Sequence, residues 1–374
     1  MRDSPSSTYC TMGSSRNIAV FVSPHGFGHA ARAAAILDSL AESEIPTQFQ
    51  VYTTVPRGFF ESPNGPPFEY RYVVSDVGMI QRTPFEEDLQ ATLEALDGFL
   101  PFRNDLLDDL VEQVTAAGTH AIVADISPLG VAVAERSRRP CILIENFTWD
   151  WIYEGYSAEW PQLVPYIETL SDLYSTVDLR IQTEPYCLGV PGGLVVPPIS
   201  RRPCQSTSEI RRRLALAERR PLVVVTMAGH RLRRAFLDHL QDADDLCFVV
   251  VGGAKQPIRR QNLRLLPFES RICHPSLLSA ADVVVGKLGY STLAEVYRSR
   301  TPFAFVPRPQ FPESPILEKF LRRNLPHSAI PLDRFDSCDW IPRIRELAAL
   351  PKPDIDTTDT EAARMAATHI LALT

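Results

Sequence analysis

Short apolar runs alternate with amphipathic stretches along nearly the whole chain. The runs Ile18–Ser23, Phe49–Thr53, Ala121–Ala124, Cys141–Ile144 and Leu179–Gln182 have the length and β-branched content of buried strands. Between them, Ala33, Ile36, Leu37 and Leu40 recur at helical spacing within Ala30–Glu42, and Glu86–Leu96 and Phe102–Ala116 also predict helices. A second set follows, with strands at Leu222–Met227, Cys247–Val251, Leu263–Leu266, Val283–Val285 and Phe303–Val306. Its helices are expected near 231–241, 275–281, 291–299 and 314–323. Strand–helix alternation of this kind predicts α/β domains with parallel sheets. Between the sets, Pro185, Pro191, Gly192, Gly193, Pro197, Pro198 and Pro203 cannot sustain a helix or a central strand. The expected division is a disordered lead at 1–16, a first domain at 17–190, a linker at 191–221 and a second domain at 222–355. A last helical segment at 356–374 is expected to fold back on the first domain. Ligands in such sheets bind beyond the carboxyl ends of the strands, so a cleft between the two halves is the expected site.

At 374 residues, two cores are expected rather than one. The formal charge of −7 argues against nucleic acid as the main partner. Arg211–Arg213, Arg219–Arg220 and Arg231–Arg234 read as solvated helix faces; attraction to an anionic substrate or a membrane surface is the other reading, so peripheral membrane contact stays open. Seven cysteines, an odd number with no Cys-x-x-Cys pair, fit a reducing cytoplasm. No apolar run approaches the ~20 residues that span a bilayer, and residues 1–16 lack a signal-peptide core.

Two loops carry the chemistry. Gly286-Lys287-Leu288-Gly289-Tyr290-Ser291-Thr292-Leu293-Ala294-Glu295 follows a strand and opens a helix. Free N–H groups, two hydroxyls and a helix N-terminus at one point attract phosphate. Glu295 has the wrong charge for phosphate and suits a ribose hydroxyl, or simply complements the helix end. Arg308, at the end of the following strand, could hold phosphate or sugar, or pair with Glu313. The P-loop spacing is absent.

The other loop, Pro24-His25-Gly26-Phe27-Gly28-His29-Ala30-Ala31-Arg32, lies between the first strand and the first helix. Gly26 and Gly28 permit a sharp turn and close approach. His29 at the helix start is a candidate general base, since the positive helix end favours neutral imidazole. Gly26-x-Gly28-x-x-Ala31 also matches a dinucleotide fingerprint, but the second strand ends Val51-Tyr52-Thr53-Thr54 without the required acid. Asp125, after a strand, could orient His29, act as a base or cap a turn. Glu145-Asn146-Phe147-Thr148-Trp149-Asp150-Trp151 follows another strand, where Trp faces could stack on a sugar. No metal site is expected: His25 and His29 straddle the glycine turn rather than sharing a helix.

Together, these loops, Asn146–Asp150 and Phe305-Val306-Pro307-Arg308-x-x-Phe311-x-Glu313 resemble glycosyltransferases of the GT-B fold. They are similar above all to the glycosyltransferase-like N-terminal region of plant L-arabinokinases and its stand-alone bacterial relatives, across about residues 17–340. The sugar-kinase domain that follows that region in arabinokinases has no counterpart in these residues, so kinase activity is not implied. The resemblance implies two Rossmann-like domains facing across a cleft. In the wider fold group, which includes the N-acetylglucosaminyl transferase of peptidoglycan synthesis, a Gly-rich loop ending in His lies on the acceptor side. That implies acceptor contacts at Gly26, Phe27, Gly28, Asn146, Trp149 and Asp150, with catalysis by His29, aided by His25 or Asp125. It implies donor contacts at Gly286, Lys287, Gly289, Tyr290, Ser291, Thr292, Glu295, Arg308 and Glu313, with the stretch Leu266-Pro267-Phe268 to His274 near the base. The implied activity is metal-independent transfer of a sugar from a nucleotide-diphosphate sugar, a UDP-sugar being the expected donor, to an unidentified acceptor hydroxyl, with no cofactor. A hydrolase of the same fold and a non-catalytic nucleotide-sugar-binding protein are the alternatives.

Overall fold

The computed structural model describes residues 15–61, 65–216, 220–227, 234–268, 270, 272–353 and 362–374. Residues 1–14 of the expected lead, Arg219, Arg231–Arg233 and residues 356–361 of the last segment lie outside them.

Strands β1 (Arg16–Val22), β2 (Thr47–Thr53) and β3 (Phe68–Tyr72) are followed by a small antiparallel pair, β4 (Gln81–Thr83) and β5 (Glu86–Glu87). Then come β6 (Ala121–Asp125), β7 (Cys141–Glu145), β8 (Leu179–Thr183) and β9 (Leu194–Val196). Apart from the β4–β5 pair they form one parallel sheet in the order β3-β2-β1-β6-β7-β8-β9. The second sheet contains β10 (Leu222–Thr226), β11 (Cys247–Val251), β12 (Ile258–Arg260), β13 (Leu263–Leu266), β14 (Val283–Lys287), β15 (Phe303–Val306) and β16 (His327–Ala329). Its order is β12-β13-β11-β10-β14-β15-β16, parallel except for β12.

Central strands are apolar without interruption because both faces of each sheet are covered. In the first sheet Phe21, Ile122, Ala124 and Leu143 point to one core with Trp149 and Tyr174. Their strand neighbours Val20, Val123, Ile142 and Ile144 point to the other. That second core is closed by helix Phe27–Ala41 and by the C-terminal helix Ala362–Leu371, whose Ala366, Ala367 and Ile370 are buried with Ala33, Ala34 and Leu37. The last segment thus lies on the first domain. Small side chains on both helices let them approach closely.

Several boundaries differ from expectation: Glu86 and Glu87, expected to open a helix, form β5, and the helix begins at Leu89. The first strand begins at Arg16, inside the expected lead. The expected 191–221 linker holds edge strand β9 and the helix Thr207–Arg213, capped by Ser206 accepting from the Glu209 N–H. Strands β3, β12 and β16 were missed, because edge strands bury little and read as polar.

Helix Pro128–Ser137 lies on β1 with no spare room. A Cβ on Gly130 would meet the Phe21 Cβ at 2.6 Å, whereas one on Gly98, in helix Leu89–Phe99, meets nothing within 4 Å. Gly130→Ala should therefore destabilise by about 1–3 kcal/mol. Gly98→Ala should stabilise by up to about 1 kcal/mol. Urea unfolding of the two variants checks the contrast; equal effects would contradict the packing described.

Candidate active site

Helix Phe27–Ala41 begins at Gly26, whose φ of 70° favours glycine. His29 and Arg32 lie one turn apart on its buried face. Asp125 ends β6 and is fully buried. The Asp125 carboxylate accepts from Arg32 Nε at 2.8 Å and from Arg32 Nη2 at 2.6 Å. The pair holds Asp125 below the usual carboxylate range, although burial pushes the other way. An ionised Asp125 only accepts, so His29 Nδ1, 2.9 Å from Asp125 Oδ1, carries the proton and donates it. Arg32 Nη2 also approaches Nδ1 at 3.2 Å, but in this tautomer that contact is no hydrogen bond. Nε2 keeps its lone pair, and burial first, then Arg32, lowers the His29 pKa despite Asp125. Asp125 is thus fixed as the group that orients His29. Saturated by Arg32 and shut from solvent, it is not itself the base.

Arg32 ends the same sequence motif, which by itself assigns it no role. It lies three residues after His29, a same-face spacing that offered the signal. Its Nη1 donates to Asn146 Oδ1 at 2.9 Å and to Thr183 Oγ1 at 3.1 Å, and its guanidinium lies 5.1 Å from the centre of the Tyr290 ring. Tyr290 belongs to the second domain. It is buried, and its hydroxyl accepts from the Ile199 N–H at 3.2 Å. Tyr290 therefore anchors one domain on the other rather than facing a donor.

On the second domain, helix Tyr290–Ser299 follows β14. Its N-cap is Gly289, with no side-chain cap and no acid in the first turn, so the N–H groups of Tyr290, Ser291 and Thr292 lack partners within the helix. This uncapped end meets the first loop directly: a Cβ on Gly28 would stand 3.7 Å from Ser291 Oγ. Gly286 is a strand residue, and its missing Cβ spares a 2.6 Å clash with the Thr226 carbonyl; its place is structural. Lys287, last in β14, is half-buried, and among the described residues no group bonds its Nζ. Burial, then Arg308, lowers it to about 8.

Glu295 is buried and ionised. Its Oε2 lies 2.7 Å from His274 Nδ1, and its Oε1 accepts from Arg201 at 3.3 Å. Neither partner was foreseen for it. Phe268 is exposed and lies over Gly252, where a Cβ would be 2.3 Å from the ring, so an aromatic face stands at the end of β11.

Several expected contacts are elsewhere. Arg308 does not pair with Glu313; it donates to Glu87 of the first domain at 2.5 Å and lies over Phe311 at 3.9 Å. Glu313 accepts from Asn146 Nδ2 at 2.7 Å, and burial raises its pKa. Both residues, with Asn146, tie the domains together rather than lining open space. Trp149 is 1% exposed, deep in the first core, so it offers no stacking face. Asp150, in helix Trp149–Glu154, has a buried Oδ1 with no hydrogen-bond partner among the described residues. Phe27 is exposed and stacks on Phe59 at 5.1 Å, an aromatic platform beside the glycine turn. His25 accepts from the Met79 N–H at 3.3 Å and packs edge-on against Trp149; burial, then His29, Arg308 and Lys287, keep it neutral. Among the described residues no three His, Cys, Asp or Glu side chains converge as metal ligands. No helix among them is long and apolar enough to cross a membrane.

A further carboxyl group, Asp76, lies behind His25 and accepts from Trp149 Nε1 at 2.9 Å. Nothing in its sequence context signalled it. Burial pushes it up to about 7. An unfolded Asp titrates near 3.9, so the stability that the protonated form supplies is full below about pH 4 and is lost as pH rises through about 7. Relative to Asp76→Asn, which cannot ionise, the wild type should lose up to roughly 4 kcal/mol between pH 4 and 7. The difference should then level off. Urea unfolding of both proteins across this range tests it; a flat difference would refute the buried assignment.

No protein-family model matches the chain. The sequence is 27% identical to the L-arabinokinase of Arabidopsis thaliana over 313 residues, which is 81% of this chain and 29% of that protein. A stretch of 57 residues, 15% of this chain and 14% of the other, is 46% identical to the UDP-N-acetylglucosamine--N-acetylmuramyl-(pentapeptide) pyrophosphoryl-undecaprenol N-acetylglucosamine transferase of Opitutus terrae. The chain thus spans less than a third of either curated relative. Among solved structures it is similar to a UDP-glucosyltransferase from Polygonum tinctorium, with TM-score 0.61 and 15% identity over 96% of each chain. It is also similar to the glycosyltransferase SnogD from Streptomyces nogalater, with TM-score 0.59 and 16% identity over 96% of this chain and 99% of that one. With its two largely parallel sheets and these likenesses, the chain has the GT-B fold of those glycosyltransferases and is similar to L-arabinokinase over most of its own length.

Proposed function

We propose that the protein transfers a sugar from a UDP-sugar to an acceptor hydroxyl. One observation carries this reading. An imidazole with its lone pair at Nε2, set by an ionised Asp125, stands on the first turn of helix Phe27–Ala41, whose Gly28 touches an uncapped helix N-terminus of the opposite domain. A base and an anion holder thus face each other across the domain boundary. The acceptor oxygen attacks the anomeric carbon of the sugar, and His29 Nε2 takes its proton. The bond from that carbon to the diphosphate breaks. The leaving diphosphate gathers charge at the amides of Tyr290–Thr292 and the hydroxyls of Ser291 and Thr292, where the helix end stabilises it. Exposed Phe268 offers a face for the base, and Glu295 accepts from the ribose. The acceptor enters beside Phe27, and the enzyme acts in the cytoplasm without a metal.

UDP should raise the melting temperature where NAD and ATP do not. An Ala at position 291 or 292 should weaken that shift. No shift with any nucleotide would end the proposal.

His29→Ala should keep UDP binding and lose about 10²–10⁴-fold in transfer, the usual contribution of a general base. Release of UDP from UDP-sugars, followed over a panel of acceptors, is the readout. Free sugar formed without acceptor would identify a hydrolase instead. Binding without release under any acceptor would identify a sensor.

A further inference from the structure

Six cysteines lie among the described residues, and all six are free thiols. Cys141, Cys247 and Cys338 are buried, and Cys187 is half-buried. Cys204 and Cys273 differ from these, because the fold brings them together at an accessible place. Cys204 is exposed, in the segment that crosses between the domains; Cys273 is half-buried and is the N-cap of helix His274–Ala280.

The two segments are pinned to each other. Ser276 Oγ, on the first turn of that helix, accepts from the N–H groups of Cys204 and Gln205, both at 2.9 Å, and lies 3.9 Å from Cys204 Sγ. In return, Gln205 Oε1 accepts from the Cys273 N–H at 3.3 Å. Both cysteines therefore flank one small hydrogen-bonded knot. Each thiol is a direct neighbour of the other. Burial raises Cys273, yet bonds from the Cys204 thiol and the Ser276 hydroxyl leave it below its ordinary value, while burial and Cys273 raise Cys204.

We propose that Cys204 and Cys273 are a modification site, a thiol pair that a peroxide converts to a disulfide stapling the interdomain segment to the second domain. The Cys273 thiolate attacks one peroxide oxygen, the O–O bond breaks, and the departing hydroxide takes a proton to become water. The sulfur is left as a sulfenic acid. The Cys204 sulfur attacks it, the S–O bond breaks, and the hydroxyl leaves as a second water with the Cys204 proton. Two thiols are oxidised by two electrons and one peroxide is reduced. The staple would fix both donors on Glu295, since Arg201 lies three residues before Cys204 and His274 follows Cys273 directly.

The test uses the full chain and no nucleotide, so it stands or falls apart from the transferase reading. Protein treated with hydrogen peroxide is alkylated, digested without reduction and mapped by mass spectrometry. A linked peptide joining Cys204 to Cys273, lighter by two hydrogen atoms, is expected. The cross-link should also raise the melting temperature by constraining the unfolded chain. Dithiothreitol should reverse the rise, and Cys204→Ser and Cys273→Ser should lack it. Sulfinic acid at either position with no linked peptide would overturn the proposal. So would linkage of Cys204 to Cys10 or Cys187, or an equal rise in Cys204→Ser.

Discussion

The Arg32 guanidinium is 1% exposed, and the site is built around satisfying it. A buried charge without partners costs several kcal/mol, so the fold must saturate it. Asp125 supplies the countercharge from β6, Asn146 an oxygen from the end of β7, and Thr183 a hydroxyl from β8. Three strand ends are thereby brought to one point. The same pairing keeps Asp125 ionised, which sets the His29 tautomer. Asn146, with its oxygen committed to Arg32, must turn its amide nitrogen outward, and that nitrogen meets Glu313 of the other domain. One guanidinium therefore determines the orientation of the candidate base and of a domain contact.

That domain contact joins an apolar part, where Phe311 of the second domain is buried in the first domain's core, to a set of polar pairs. Gly28 lies against Ser291, Asn146 against Glu313, Arg308 against Glu87, and the Tyr156 hydroxyl donates to the Gln310 carbonyl. Water can replace each of these polar partners, whereas separating the domains would also expose the face of Phe311. Lys287, half-buried beside Arg308, feels Glu313 and Glu87 as countercharges, and among the described residues no group bonds its ammonium.

Much of this was legible in the sequence, for a physical reason. Central strands buried on both faces must be continuous apolar runs, and such runs carry their own signal. Residues at their carboxyl ends, such as Asp125 and Asn146, could be placed on the cleft side from topology alone. What failed was direction. Trp149 and Tyr290 stand in the right loops but turn inward, and nothing in a one-dimensional pattern tells which side of a loop an aromatic ring takes. Charge partners across long separations were equally hidden. Arg308 finds Glu87 rather than nearby Glu313, because β5 sits at the domain boundary and Glu313 is already held by Asn146.

Glu295 shows how an unexpected environment bears on a proposed role. Both its oxygens are engaged, by His274 and by Arg201, which at first excludes a ribose. Each carboxylate oxygen, however, has two lone pairs, and each is shown using one. The two donors also hold the carboxylate ionised, with burial opposing them. An ionised carboxylate is an obligate acceptor, and a ribose diol presents donors. His274 and Arg201 therefore fix the rotamer and the charge of the carboxylate, and the proposed ribose contact would not compete with them. Because Arg201 comes from the interdomain segment and His274 from the second domain, the readiness of Glu295 depends on how those two segments sit together.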